Sequence, residues 1–91
     1  MSANKQWNIL CWNVRGINSE KKHLAIHNAI DISGCFVVCF QETKRTSFDA
    51  SFVKLFCPKK FDMFEFIPSV SNSGGILTAW MSSVFTGVAV F

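Results

Sequence analysis

The sequence contains no tyrosine and only two prolines, and charged side chains fill just 16% of its 91 positions. The shortage of charge is the most restrictive of these. Surface grows more slowly than volume, so a small domain ordinarily needs more polar residues than this to cover itself. Hydrophobic residues reach 49%, with ten Phe and three Trp. An interior-rich composition in so short a chain implies a membrane, a partner, or a remainder of the core lying outside this sequence. Long apolar runs are missing too. Asp, Glu, Lys or turn residues interrupt each run well short of a bilayer's span, and MSANKQWNIL lacks the extended apolar stretch of a secretion signal. These absences lead to the expectation of an intracellular protein with part of its core absent.

No CxxC pair is present among Cys11, Cys35, Cys39 and Cys57. Cys35 and Cys39 share a face of any strand that holds them, but too far apart to chelate one zinc ion together. The expectation is buried free thiols with no disulfide partner, suited to a reducing compartment. No GxGxxG, P-loop or GxSxG elbow occurs. A net charge of +3 and a pI near 8.8 permit a polyanionic partner without requiring one.

What is there reads as alternating strands and helices. WNILCWNV (7 to 14) has the composition of a strand buried on both faces. Ser19 and Glu20 open a helix that runs to Ser33, with Ala25, Ile26, Ala29, Ile30 and Ile32 on its apolar face and Gly34 as terminator. CFVVCF (35 to 40) has no polar position, as befits the middle of a sheet. The three segments predict a βαβ unit with parallel strands. A second helix is expected from Ser47 to Phe56, stopped by Cys57-Pro58. FDMFEFI (61 to 67) reads as a third strand, and ILTAWM (76 to 81) with VFTGVAVF (84 to 91) as a hairpin turning at Ser82-Ser83.

In a parallel βαβ unit, ligands collect beyond the carboxyl ends of the strands. Asn13 lies near the end of the first strand and Glu42 just past the second, so their side chains open on one rim. A carboxylate there can bind a hard cation such as magnesium, which takes oxygen ligands and often needs one or two carboxylates, or it can simply pair with Lys44 or Arg45. Asn13 either orients a ligand or forms a turn before Arg15-Gly16. Arg15, Lys44 and Arg45 can hold phosphate oxygens or stay solvated. His23 and His27 share a helix face, without a third ligand, and are expected at the surface. Gly74-Gly75 either allows close backbone approach or begins a strand.

These residues carry a resemblance. WNVRGIN (12 to 18), FQETK (40 to 44) and SGGI (73 to 76) resemble, in order and spacing, the first three motifs of the endonuclease/exonuclease/phosphatase superfamily. They look most like the endonuclease domain of LINE-type retrotransposons. The resemblance implies an α/β (α+β) fold, with residues 1–91 forming the N-terminal portion of a four-layer sandwich cut within the domain. It implies DNA phosphodiester hydrolysis with Mg2+, or Mn2+ in its place. Glu42 matches the metal-binding Glu, and Asn13 the active-site Asn beside it at the metal and phosphate. Lys44 matches a residue supporting the site electrostatically. Arg15 departs from the repair-enzyme branch, which has a carboxylate there. A reverse transcriptase region of the same polyprotein is an implied partner, and the nucleus or cytoplasm the implied location. The superfamily's general-base His, its Asp-x-Asn pair and its active-site Tyr have no counterpart, since no His follows His27. The chain alone is therefore expected to be without useful nuclease activity, and poorly soluble because the missing sheet would leave the βαβ faces uncovered. The rival readings are a non-enzymatic remnant or polyanion-binding piece, and a superfamily phosphatase of phospholipid or inositol substrates.

Overall fold

A computed structural model describes residues 9–84. Six elements follow in order: β1 (Ile9–Asn13), α1 (Glu20–Ser33), β2 (Val37–Gln41), α2 (Ala50–Val53), β3 (Met63–Ile67) and β4 (Ile76–Trp80). The strands form one sheet in the order β1-β2-β4-β3. β1 and β2 are parallel, with Asn13 beside Gln41, and α1 is the crossover that such a pair requires. β4 runs antiparallel to β2 on one side and to β3 on the other.

Register sets the core. Leu10, Val38, Ala79 and Phe64 form one row across the sheet, and Trp12, Phe40, Leu77 and Phe66 the next. Side chains alternate between faces along a strand, so both rows point the same way. α1, α2 and the turn after α2 cover that face with Ile26, Ile30, Val53 and Phe56. On the opposite face Val37, Thr78 and Trp80 are buried, whereas Ile9 is 56% exposed and Ile67 42%.

The edge position of β1 within the described sheet corrects the expectation of a strand buried on both faces. Its exposure alternates residue by residue. Cys11 is accordingly exposed rather than buried, while Cys35 and Cys57 are inside. Burial, with a smaller contribution from nearby Cys35, pushes the Cys57 thiol up to about 12, so it stays protonated. β2, between β1 and β4, occupies the central place its composition predicted.

α1 ends at Gly34 in the left-handed conformation (φ 66°), as expected. Its buried line is His23, Ile26 and Ile30, and two expectations fall here. Ile32 is 86% exposed, because two residues on from Ile30 the chain has turned to the far side of the helix. His23 is buried instead, its Nε2 2.6 Å from the Ile17 carbonyl oxygen and its ring 5.4 Å from both Phe52 and Phe56. One carbonyl for the ring nitrogen and two aromatic neighbours for the ring make burial tolerable.

α2 is a single turn rather than the helix expected over 47–56. Asp49 caps it, its carboxylate accepting from the Phe52 N–H at 2.8 Å. The chain then tightens, Leu55 and Phe56 donating to the carbonyls three residues back, before Pro58 ends any helical path. β3 starts at Met63, two residues later than expected, since the Phe61 N–H is taken by the Pro58 carbonyl. The hairpin partner expected over 84–91 lies outside the described residues beyond Val84. No helix among the described residues is long and apolar enough to cross a membrane.

Two outcomes are expected from this packing. Phe56 is fully buried and meets Phe40 edge-to-face at 5.4 Å. Phe56→Ala should therefore lose about 3–5 kcal/mol of unfolding free energy in a urea titration, and a loss below 1 kcal/mol would show the helix layer to be loosely seated. Asp62 accepts from the Ser82 hydroxyl at 2.6 Å and its N–H at 2.9 Å, which lowers its pKa from the ordinary 3.8. A lowered folded pKa gives stability that is full above the unfolded value and lost as pH falls through the folded one. The urea midpoint of Asp62→Asn should thus lie below wild type at neutral pH and converge with it under strong acid.

Candidate functional site

The rim at the carboxyl ends of β1 and β2 brings Asn13 and Glu42 into contact. Asn13 Nδ2 donates to Glu42 Oε2 at 2.8 Å. Strand alternation alone would forbid this. Asn13 pairs with Gln41 and shares its face, so a Glu42 in extended conformation would point to the helix face. Instead Glu42 is left-handed, at φ 56°, which breaks the alternation and returns its carboxylate to Asn13. Among the described residues Glu42 forms no ion pair with Lys44 or Arg45, so the alternative of a simple strand-exit pair is not realised.

The left-handed turn is one of several. Arg15 (φ 51°) and Lys44 (φ 59°) adopt it as well. A residue with a Cβ pays roughly 1–2 kcal/mol there, and such strain persists only where the surroundings over-determine the backbone. The surroundings here are hydrogen bonds on both sides of segment 42–45. Val14, Gly16 and Ile17 donate to Gln41, Glu42 and Thr43 at 2.8–3.1 Å, while Thr43 and Lys44 donate to Gly75 and Gly74 at 3.1 and 2.9 Å. The Ser69 N–H adds a bond to the Arg45 carbonyl. Gly75, at φ 93°, is the close approach: a Cβ there would stand 2.5 Å from Thr43 Oγ1. Both readings of Gly74-Gly75 have a counterpart: the pair leads directly into β4, and close backbone approach is realised at Gly75 but not at Gly74.

The basic residues divide. Arg15 and Lys44 are exposed on the two loops that follow β1 and β2, the Lys44 stem passing beside Gly16. Arg45 turns elsewhere. Its Nη1 donates to Asn18 Oδ1 at 2.8 Å and its Nε to the Ser47 carbonyl at 3.1 Å. The guanidinium lies 3.6 Å from the centroid of Phe52 and 5.2 Å from that of Phe48, a cation–π seat. Arg45 thus ties the loop after β1 to the loop after β2.

Chemically, the rim offers one exposed carboxylate, a neutral amide beside it, and two cations nearby. Such oxygen donors fit a magnesium-type cation that keeps waters and takes further ligands from phosphate. They do not fit a zinc centre, and no group of three or more His, Cys, Asp or Glu is placed to hold a metal among the described residues. Two residues at this rim went unremarked in the sequence. Thr43 is fully buried with an unpartnered hydroxyl, and Lys22 reaches the loop after β1 from α1. A Thr between two rim residues carries no pattern that announces burial, and a Lys in a helix's first turn usually signals only solvent.

No family model and no curated protein matches the sequence. Solved structures do. The chain is similar to the catalytic domain of APE2 from Xenopus laevis, with 26% identity and a TM-score of 0.56, over 82% of this chain and 23% of that one. It is also similar to the AP endonuclease LMAP from Leishmania major, at 23% identity and a TM-score of 0.58, over 84% of this chain and 24% of the other. The chain thus spans under a quarter of either protein's length. Both are AP endonucleases of the endonuclease/exonuclease/phosphatase fold, and the described sheet and helices form part of that α/β fold.

The crowding at Gly75 generates a direct check. Gly74→Ala meets nothing within 4 Å and bears only the cost of a left-handed Cβ at φ 73°, about 1–2 kcal/mol. Gly75→Ala adds a clash with Thr43 and should cost about 1–3 kcal/mol more in chemical unfolding. Equal losses in the two variants would mean that the Thr43 side chain is free to move aside.

Proposed function

We propose that this chain supplies the metal- and phosphate-binding part of a divalent-metal-dependent DNA endonuclease. The observation that carries the proposal is the Asn13–Glu42 hydrogen bond at the rim of two parallel strands. Glu42 holds Mg2+, or Mn2+ in its place, through its carboxylate. Asn13 fixes one carboxylate oxygen and leaves its own amide oxygen for the metal or its water. The bound cation supplies polarisation of a phosphodiester and stabilisation of the leaving oxygen. Lys44 and Arg15 receive the non-bridging oxygens of the DNA backbone. Arg45, whose guanidinium is held against Phe52, contributes to phosphate binding through the field it adds to the rim.

Arg15 favours the retroelement type over abasic-site repair, because a cation replaces the carboxylate of the repair branch. On that reading the natural partner is DNA, with a reverse transcriptase region of the same polyprotein, and the chain is the N-terminal portion of the nuclease domain. Hydrolysis also needs a general base and stabilisation of developing charge. The chain has no Tyr and no His after His27, so metal and DNA binding are assigned to it and cleavage is not. The competing reading, a polyanion-binding remnant, draws on the same missing residues and is separated by the metal.

Titration of the chain with Mn2+, followed by loss of the free-ion EPR signal, should give one site that Glu42→Gln weakens about tenfold or more. Equal affinity in both proteins would sink the metal assignment and leave the polyanion reading, which needs only salt-sensitive DNA binding. Mg2+-dependent nicking of supercoiled DNA by this chain alone, abolished in Glu42→Ala, would overturn the assignment of cleavage elsewhere.

A further inference from the structure

We infer that Lys22, in the first turn of α1, is the positioning residue of the rim; the functional consequence rests on the metal-site reading above. Its Nζ donates to three successive carbonyl oxygens, those of Val14 at 2.8 Å, Arg15 at 3.0 Å and Gly16 at 2.9 Å. Three adjacent carbonyls do not converge on one point in a strand. They do so here because Arg15 and Gly16 both have positive φ, 51° and 95°. Left to themselves, the three oxygens repel one another, and the bonds to Val14 and Gly16 are partly buried. An ammonium offers three N–H donors from one compact charge, so donors and acceptors match one for one.

The other side of the same three residues is bonded to β2 and its extension, Val14 N–H to Gln41 and Gly16 N–H to Glu42. The loop is therefore gripped between Lys22 and the backbone of the metal-binding residue. Asn13 immediately precedes the gripped segment, and its side chain reaches Glu42. Lys22 touches neither metal nor substrate in this account. It sets the loop whose position decides whether the Asn13–Glu42 bond forms. Because all three donors are used internally, Lys22 is not a phosphate contact, although a lysine beside a nucleic-acid site invites that reading.

The test uses the full chain, 15N-labelled, as wild type and as Lys22→Met, Lys22→Arg and Lys21→Met, with circular dichroism to establish folding. Lys21 is an exposed neighbour, so its variant removes the same charge without the grip. In the metal-free protein, Lys22→Met should speed hydrogen exchange of the Asn13 side-chain amide, and it should weaken Mn2+ binding about tenfold. Lys22→Arg should recover only part of either effect, since a planar fork cannot address three converging oxygens as one point charge does. Lys21→Met should change neither. A folded Lys22→Met with the wild-type Asn13 amide signal would overturn the inference. If that variant does not fold, the Lys22 ammonium protons of wild type decide: slow exchange relative to Lys21 is expected, and equally fast exchange overturns it. Failure of the wild type to bind Mn2+ at Glu42 would sink the metal site alone, because the metal-free amide measurement still judges the role of Lys22.

Discussion

The ladder between β1 and β2 continues past both strands, and the rim depends on that continuation. Val14, Gly16 and Ile17 go on donating to Gln41, Glu42 and Thr43 after the regular pairing has ended. Parallel strands gain evenly spaced bonds that need no turn to hold them in register. Here those bonds carry the register out into the loops. Two segments 29 residues apart in sequence thereby set a side-chain amide 2.8 Å from a carboxylate. The core beneath keeps the ladder fixed, since Phe40, one residue before Gln41, is fully buried against Phe56 and Leu77 is its cross-strand neighbour.

Around this ladder the structure places its strain and its charge together. Arg15, Glu42 and Lys44 are all left-handed without being glycine, and all three are polar groups at one rim. The glycines at 74 and 75 do the complementary work, accepting hydrogen bonds from Lys44 and Thr43 at a distance no other side chain would allow at Gly75. Arg45 shows the same division of labour among cations. Bound to Asn18 and seated on Phe52, it braces the loops on which Arg15 and Lys44 remain exposed.

Much of this was legible in the residues. The unbroken apolar run at β2, the alternation into α1 and the Gly34 stop all report local preferences that tertiary structure then reinforces. Placing Asn13 and Glu42 on one rim needed only the direction of two parallel strands. What escaped were features that depend on partners distant in sequence. Glu42 and Lys44 have no intrinsic taste for positive φ, so their conformation follows from bonds to Gly16 and Gly74. His23 looked polar and therefore exposed until Ile17, Phe52 and Phe56 supplied it an acceptor and two rings. The strand order, with β4 inserted between β2 and β3, is a non-local pairing that periodicity does not encode.

The left-handed backbone at Glu42 also bears on how the sequence at this rim diverges. A glycine at that position would relax the backbone and remove the Asn13 contact in one step. Backbone strain therefore disfavours glutamate at position 42, and on the proposed metal-binding reading it is demand for the carboxylate that holds it there. In a lineage released from that demand, drift at position 42 should run ahead of drift at Phe40, whose burial is needed by any folded copy. The contrast between those two positions would act as a clock for loss of selection on the rim.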